Sequence, residues 1–490
     1  MFDSRRLHDY WEPPTTERSA ALVERMCASW RAEARAAAAR LDAIGELFEL
    51  RRAQRGEEAN WAVDTWAAVG AEVAAAFRIS LALAGSYLRY ARAMRERLPA
   101  VAGLFRAGDI DYRLFQTLVY RSDLITDGEV LAAVDATLAA NVVRWPSMTQ
   151  GRLAAQVDRV VAKADRDAVR RRRERQVDRE IWIGDRVQDG LSEIHGALLT
   201  PDAHALEKRL NALAATVCAH DPRSREQRRA DALGALAAGA DRLGCRCGRP
   251  DCVAGKRPAA GPVVIHVIAE RATLDGGSAA ASEVGADGLI PPELVAELAA
   301  SARLVPLIHP GDAPPENGYV PSKALADFVR FRDLTCRAPG CDAPAIGCDI
   351  DHTIPYAQGG ATHASNLKCL CRLHHLLKTF WGWQETQLRD GTVIWTLPGG
   401  HTYLTTPGSA LVFPSLCAPT RPLHTLTRAQ GCAERTAMMP KRRRTRAQDR
   451  AYRIATERKH NRDARTARRA ETWSYTGPAP PTDDDEPPPF

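Results

Sequence analysis

The sequence predicts a mostly α N-terminal region, a small α+β middle part and a small metal-stabilised C-terminal module. Three observations predict this. The first half is rich in Ala, Arg, Leu, Glu and Val at helical spacings, and aromatics make up only 6% of the chain. After residue 179, short β-branched runs alternate with helical stretches and Gly/Pro turns. Between Cys336 and Lys378, cysteines and histidines gather at spacings that suit a metal ion. At 490 residues the chain exceeds what one core usually holds. Its texture divides it into 1–180, 181–320, 321–408 and 409–490.

Helical periodicity covers 19–55 and then 60–97, where Pro99 ends the pattern. Shorter helices follow at 100–107, 112–122 and 127–141, the last opened by Thr126-Asp127. Residues 149–179 read as one amphipathic helix with Leu153, Val157, Val160 and Val161 on one side, ending in an Arg-rich run. Ile181-Trp182-Ile183 and 191–199 read as strands, and 201–220 and 224–242 as helices. A turn-rich knuckle spans 245–252, a strand 263–269 and a helix 291–302. Asp390-Gly391 marks a hairpin between 384–389 and 393–397, and 401–405 follows the next turn. From 409 the chain reads as a basic, then acidic and Pro-rich tail, largely disordered, with 441–473 as a basic helical stretch inside it.

The net charge of +7 is uneven: residues 441–469 hold 13 Lys/Arg against 3 Asp/Glu. The remainder holds 54 basic and 57 acidic residues, so bulk charge does not make the folded body a nucleic-acid binder. The N-terminal stretch has no apolar signal core, and no run of about 18 apolar residues follows. The expectation is a cytoplasmic protein with no membrane partner. A reducing compartment disfavours disulfides for its twelve cysteines. Cys27, Cys218, Cys417 and Cys432 are scattered and read as plain core or surface residues. Cys245, Cys247 and Cys252 form C-x-C-x4-C without a clear fourth ligand. His220, His266 or another distant residue would have to complete a second metal site, and a loop with chance thiols is an equal reading.

The C-terminal cluster is richer. Cys336 and Cys341 form C-x4-C on a Pro-Gly turn, and Cys371 opens a C-x2-H pair thirty residues later. Two short ligand pairs brought together by the fold are what tetrahedral Zn²⁺ takes, so a structural Zn²⁺ is expected. If 371–379 is helical, His374 and His375 both lie on the face of Cys371, and spacing alone does not choose between them. Asp351-His352 precedes Pro355, where a strand would break and let both side chains serve one site. A neutral imidazole can take a proton from water, and a neighbouring carboxylate can hold a divalent cation. Asn366 has a side-chain carbonyl that would accept the ring N–H of His352.

This ordered set of Asp351-His352, Asn366 and a final His, interleaved with zinc-ligand pairs, resembles the HNH endonucleases and their ββα-metal fold. The resemblance is specific over 333–379. It implies His352 as general base, Asn366 as its orienter, and Asp351 with His375 as ligands of a catalytic divalent ion, Mg²⁺ or Mn²⁺. His374 then joins Cys336, Cys341 and Cys371 at the zinc, where the family pattern has a fourth Cys. The implied reaction is hydrolysis of DNA to 5′-phosphate and 3′-hydroxyl ends. Arg332, Arg337, Arg372 and Lys378 are candidates for phosphate contacts. More loosely, Arg332-Asp-Leu-Thr-Cys336, residues 221–231 and the knuckle resemble actinobacterial, largely mycobacterial, repeat-family proteins. These join a helical N-terminal domain of unknown function to a C-terminal HNH module. The partner implied is DNA; a separate reading makes the helical N-terminus a partner-binding or self-associating domain that restricts the nuclease. A DNA-binding protein with a zinc-stabilised but inactive module is the alternative.

Overall fold

The computed structural model describes residues 16–55, 60–169, 181–185, 191–198, 200–255, 266–278, 281–283, 289–300, 302–423 and 438–474. The Arg-rich run after Val169, the Pro-rich end from 478, Cys432 and His424 lie outside them. The chain forms two units, Met1–Arg172 with Ala433–Phe490, and Arg173–Cys432.

In the first unit, α1 (Glu17–Arg55) buries Ala34, Ala38, Leu41, Ile44 and Phe48, one side of a helix at steps of three and four. The stretch expected as one block at 60–97 is two helices, α2 (Thr65–Phe77) and α3 (Leu81–Arg92), the second continued by a π turn, Ala93–Arg97. Arg78 at φ 54° closes α2 and Ser80 caps α3. A side-chain cap offers the backbone an alternative to continuing the preceding helix. Then come α4 (Pro99–Ala107), α5 (Tyr112–Ser122), α6 (Gly128–Val142) and α7 (Gln150–Ala164). Asp111 and Asp127 cap α5 and α6, while Asp135 on α6 accepts from the amides of Ala100 and Val101. The helix expected over 149–179 stops at Ala164, because Asp165 is extended and its carboxylate turns back onto the Asp167 amide.

The second unit opens with the hairpin β1 (Ile181–Asp185) and β2 (Ser192–Gly196). Helices α8 (Thr200–Ala214) and α9 (Arg225–Ala237) share a small core of Leu210, Leu213 and Ala232. Cys218, expected to be an isolated thiol, stands with Cys245, Cys247 and Cys252. Of the strand expected over 263–269, residues 263–265 lie outside the described residues; β3 (Val267–Ile268) pairs with β4 (Ala281–Glu283) and through it β5 (Leu289–Ile290). The short α10 (Arg271–Leu274) and α11 (Pro292–Ala299) accompany this sheet. Next is α12 (Lys323–Asp333), which periodicity did not reveal. An antiparallel pair, β6 (Asp349–His352) and β7 (Leu367–Leu370), leads into α13 (Arg372–Phe380). A meander of β8 (Gln384–Gln387), β9 (Val393–Thr396) and β10 (Thr402–Thr405) backs it, with Asp390-Gly391 at the first turn and Trp383 and Trp395 buried.

The described residues after 409, 409–423 and 438–474, are folded where a largely disordered tail was expected. Residues 408–423 fold back onto the second unit, where Thr420 N–H donates to Arg389 O and Arg421 N–H to Gly311 O. In the first unit, α14 (Arg446–Ser474) docks its basic side chains on acidic partners. Arg446 pairs with Asp64, Arg450 with Asp123 and Arg458 with Asp165. The charge surplus that suggested a free basic tail is partly spent inside the fold.

Among the described residues no single helix is long and apolar enough to cross a membrane; the bent pair α2–α3 passes by composition.

Asn461 is buried on α14 and donates to Asp167 O (2.8 Å) and Val169 O (2.9 Å). Asn461→Ala leaves two carbonyls unpaired and should lower the urea unfolding free energy by ~1–3 kcal/mol. Unchanged stability would mean that α14 is not docked in solution.

Candidate metal centre and acid–base site

Cys336 and Cys341 lie on the turn after α12, and Cys371 is the N-cap of α13. One turn on, His374 points back at them: its Nδ1 is 3.2 Å from Cys371 Sγ and 3.7 Å from Cys336 Sγ. Cys341 and Cys371 are 3.9 Å apart through their sulfurs. Bond lengths of 2.3 Å to sulfur and 2.0–2.1 Å to nitrogen give tetrahedral edges of about 3.8 Å (S–S) and about 3.6 Å (S–N). The donor set and its spacing therefore fit one zinc ion. Hydrogen bonds from Cys336 and Cys341, with His374 adjacent, pull the Cys371 thiol well below its usual range. Cys348 and Cys369 stand outside the set: Cys348 Sγ donates to Ala343 O and Pro344 O, and burial pushes the Cys369 thiol up.

His375 turns the other way. Its Nδ1 is 2.9 Å from Asp349 Oδ2, and its Nε2 is 3.4 Å from Asp351 Oδ1. Asp349 and Asp351 are two apart on β6 and so share a face. The other oxygen of Asp351 accepts from Lys368 Nζ (2.8 Å), its cross-strand neighbour on β7, and from Lys378 Nζ (2.6 Å) on α13. Both lysines also reach Glu385 on β8, at 2.6 and 2.7 Å, and Lys378 donates to His352 O. Burial alone would raise the Asp351 carboxyl, but the two ammonium groups reverse it and hold it at about 2. Desolvation lowers the Lys378 ammonium, whereas for the fully buried Lys368 the two carboxylates outweigh that cost and raise it.

His352 ends β6 and leaves it in another direction. Its Nε2 is 2.9 Å from Thr362 Oγ1, and that hydroxyl donates its one hydrogen to Gly318 O at 2.6 Å. Toward His352 the hydroxyl must accept, which places the ring hydrogen on Nε2 and leaves the Nδ1 lone pair open. Tyr319 stacks on the ring at 5.3 Å and Tyr356 meets it edge-on. Burial lowers the pKa of His352, and the two lysines add to this against the opposing pull of Asp351.

The expected partner of His352, Asn366, does other work. Its Oδ1 accepts from Ile354 N–H, and its Nδ2 donates to Ile354 O and Ala361 O, clamping the loop after β6. Gly360 is required there, because a Cβ would sit 1.8 Å from Ile354 O. Three expected phosphate contacts are also corrected. Arg332 is buried and donates to Ala364 O and Leu367 O, holding α12 to β7. Arg337 is buried against the carbonyls of Thr405 and Thr406. Lys378 is committed to Asp351 and Glu385. Only Arg372, its side chain 65% exposed beside Asp349, stays open to solvent. Asp349, Thr362, Lys368 and Glu385 were missed in the sequence. Alternation along β6 was a signal for Asp349, while Thr362 and Glu385 arrive from separate elements.

Fold and site define a mostly helical protein with small sheets, carrying Cys/His clusters with the geometry to hold zinc. The family described as "Domain of unknown function (DUF222)" matches residues 28–333, and the chain belongs to it. The match stops at the end of α12, just before the cluster. "Uncharacterized protein Rv3776" of Mycobacterium tuberculosis is 44% identical over 458 residues, 88% of each chain. "Uncharacterized protein Rv2100" of the same organism is 44% identical over 488 residues, 91% of this chain and 88% of its own. These relatives agree with the actinobacterial likeness. No solved structure matches.

Lys368→Met leaves Asp351 and Glu385 sharing one cation out of water. It should lower the unfolding free energy of the second unit by ~3–5 kcal/mol, the usual cost of breaking a buried pair. Adding Glu385→Gln should restore part of the loss. A single variant as stable as wild type would show that the cluster is hydrated in solution.

Proposed function

We propose that the chain is a metal-dependent DNA endonuclease of the HNH type, with residues 321–408 as its catalytic module. The observation that carries this reading is the pair Asp351 Oδ1 and His375 Nε2, 3.4 Å apart beside His352. Asp349 can only accept at His375 Nδ1, so that nitrogen bears the hydrogen of the neutral ring. In that neutral form the Nε2 lone pair faces Asp351 Oδ1, so the two atoms can bind one cation together. Adjacent ligands of an octahedral ion bonded at 2.0–2.1 Å stand about 3 Å apart, close to the spacing here. Asp351 and His375 would hold Mg²⁺ or Mn²⁺, which when bound neutralises charge developing on a phosphate under attack.

The remaining roles belong to the chain. His352 Nδ1 takes a proton from the attacking water, while Thr362 fixes the tautomer through Nε2. Asn366 sets the height of the loop beside the base rather than touching the ring. Asp349 orients His375, as outer carboxylates do for metal-bound imidazoles. Of the four basic candidates, Arg372 is the exposed one, beside Asp349, that can reach a phosphate. The zinc set at Cys336, Cys341, Cys371 and His374 holds the module, which is too small to rely on burial alone. One observation favours the non-catalytic alternative: two ammonium groups already contact Asp351 and compete with a dication.

Supercoiled plasmid incubated with the full chain and Mg²⁺ or Mn²⁺ separates the two. Wild type should nick or linearise it, and His352→Ala should be slower by ~10²–10⁴-fold, the range of a general base. Plasmid left equally intact by both proteins would overturn the nuclease reading.

A further inference from the structure

Cys218, Cys245, Cys247 and Cys252 bring four sulfurs within 4.8 Å of one another in the second unit, in a part of the chain outside the proposed nuclease module. Cys218 follows α8, and the other three sit 27 or more residues later on the knuckle after α9. The Sγ atoms of Cys218 and Cys245 are 3.5 Å apart, close to the tetrahedral edge of about 3.8 Å that zinc thiolates require. Four sulfurs this close surround one ion; they leave no room for a multinuclear cluster.

The backbone around them is shaped independently of any metal. Gly248 at φ 69° turns the chain after Cys247, a conformation that favours glycine. The backbone amides of Arg249, His220 and Ala254 hydrogen-bond to the sulfurs of Cys247, Cys218 and Cys252. Cys245 N–H donates to Ala254 O and Cys252 N–H to Arg249 O, closing the knuckle on itself. Arg223 ties its base down, pairing with Asp221 and Asp231 and donating to Gly244 O. Leu243 N–H donates to Thr216 Oγ1, two residues before Cys218. Against this stands a small hydrophobic core, among the described residues a cluster of Leu210, Leu213 and Ala232 with Leu206, Leu233 and Leu236 partly buried against it. A segment with so little to bury commonly depends on a metal for its fold.

We propose that Cys218, Cys245, Cys247 and Cys252 form a four-thiolate Zn²⁺ site that locks the α8–α9 hairpin to the knuckle. The chain then carries two structural zinc ions, one in each half of the second unit. His220 and His266, the histidines considered as a fourth ligand, are not needed.

The test uses the full chain purified under reducing conditions. Elemental analysis should find two zinc per chain. Iodoacetamide on the native protein, followed by peptide mass spectrometry, should label exposed Cys27 and spare all four cysteines of the set until a chelator is added. Cys247→Ser should lose one zinc and unmask Cys218, Cys245 and Cys252, while Cys336, Cys341 and Cys371 stay protected. The wild-type labelling does not depend on how the variant folds. Labelling of the four at the rate of Cys27 in zinc-loaded protein would overturn the proposal. So would a disulfide among them, or iron in place of zinc.

Discussion

Cys336, Cys341, Cys371 and His374 close a loop whose two ends are about thirty residues apart, and everything in the candidate site hangs from that closure. The set fixes the chain before β6 against the first turn of α13. With those ends fixed, β6 and β7 pair in one register, and Asp351 meets Lys368 across the strands. The same first turn that aims His374 at the sulfurs aims His375 at Asp349 and Asp351. Two adjacent histidines on one helical turn thus serve two different tasks, because 100° of rotation separates their side chains.

Charge placement is the second constraint. Asp351 has one oxygen neutralised by Lys368 and Lys378 and one oxygen facing an imidazole. Burying two lysines and two carboxylates together is costly unless the hydrogen bonds are complete, and Glu385 Oε2 is the one oxygen of this cluster left without a partner. The cluster fixes the Asp351 carboxylate orientation from behind, so the open oxygen keeps its aim at His375. The stack of Tyr319 on His352 adds a wall on the other side of the strand end.

Much of the helical layout could be read from the chain. The caps Asp111 and Asp127 and the Asp390-Gly391 turn are local signals, and the elements they bound stand where expected. Misreadings arose where tertiary contacts decide. Asp165 and Asp167 stop α7 and receive Arg458, Arg462 and Arg465 from a helix nearly 300 residues away. Nothing local marks the basic stretch as a docked helix rather than a tail. In the site, residue types and spacing named Cys336, Cys341 and Cys371 and left His374 and His375 open; the family resemblance assigned one to the cluster and the other to Asp351. Burial was invisible, so Arg332, Arg337 and Lys378 looked like phosphate contacts when they are internal struts. Asn366 was assigned to the wrong atom because its loop, held by Gly360 against Ile354, is a three-dimensional fact. Cys218 was passed over because a lone cysteine has no spacing to read.

In the proposed nuclease, the open oxygen of Asp351 and Nε2 of His375 share a divalent ion. Crystals of the zinc-containing protein soaked in Mn²⁺, with diffraction recorded on both sides of the manganese absorption edge, test it directly. An anomalous manganese peak bonded to Asp351 Oδ1 and His375 Nε2 is expected, absent from crystals of Asp351→Asn. Manganese found elsewhere, with His375 still in direct contact with Asp351 at saturating metal, would contradict it.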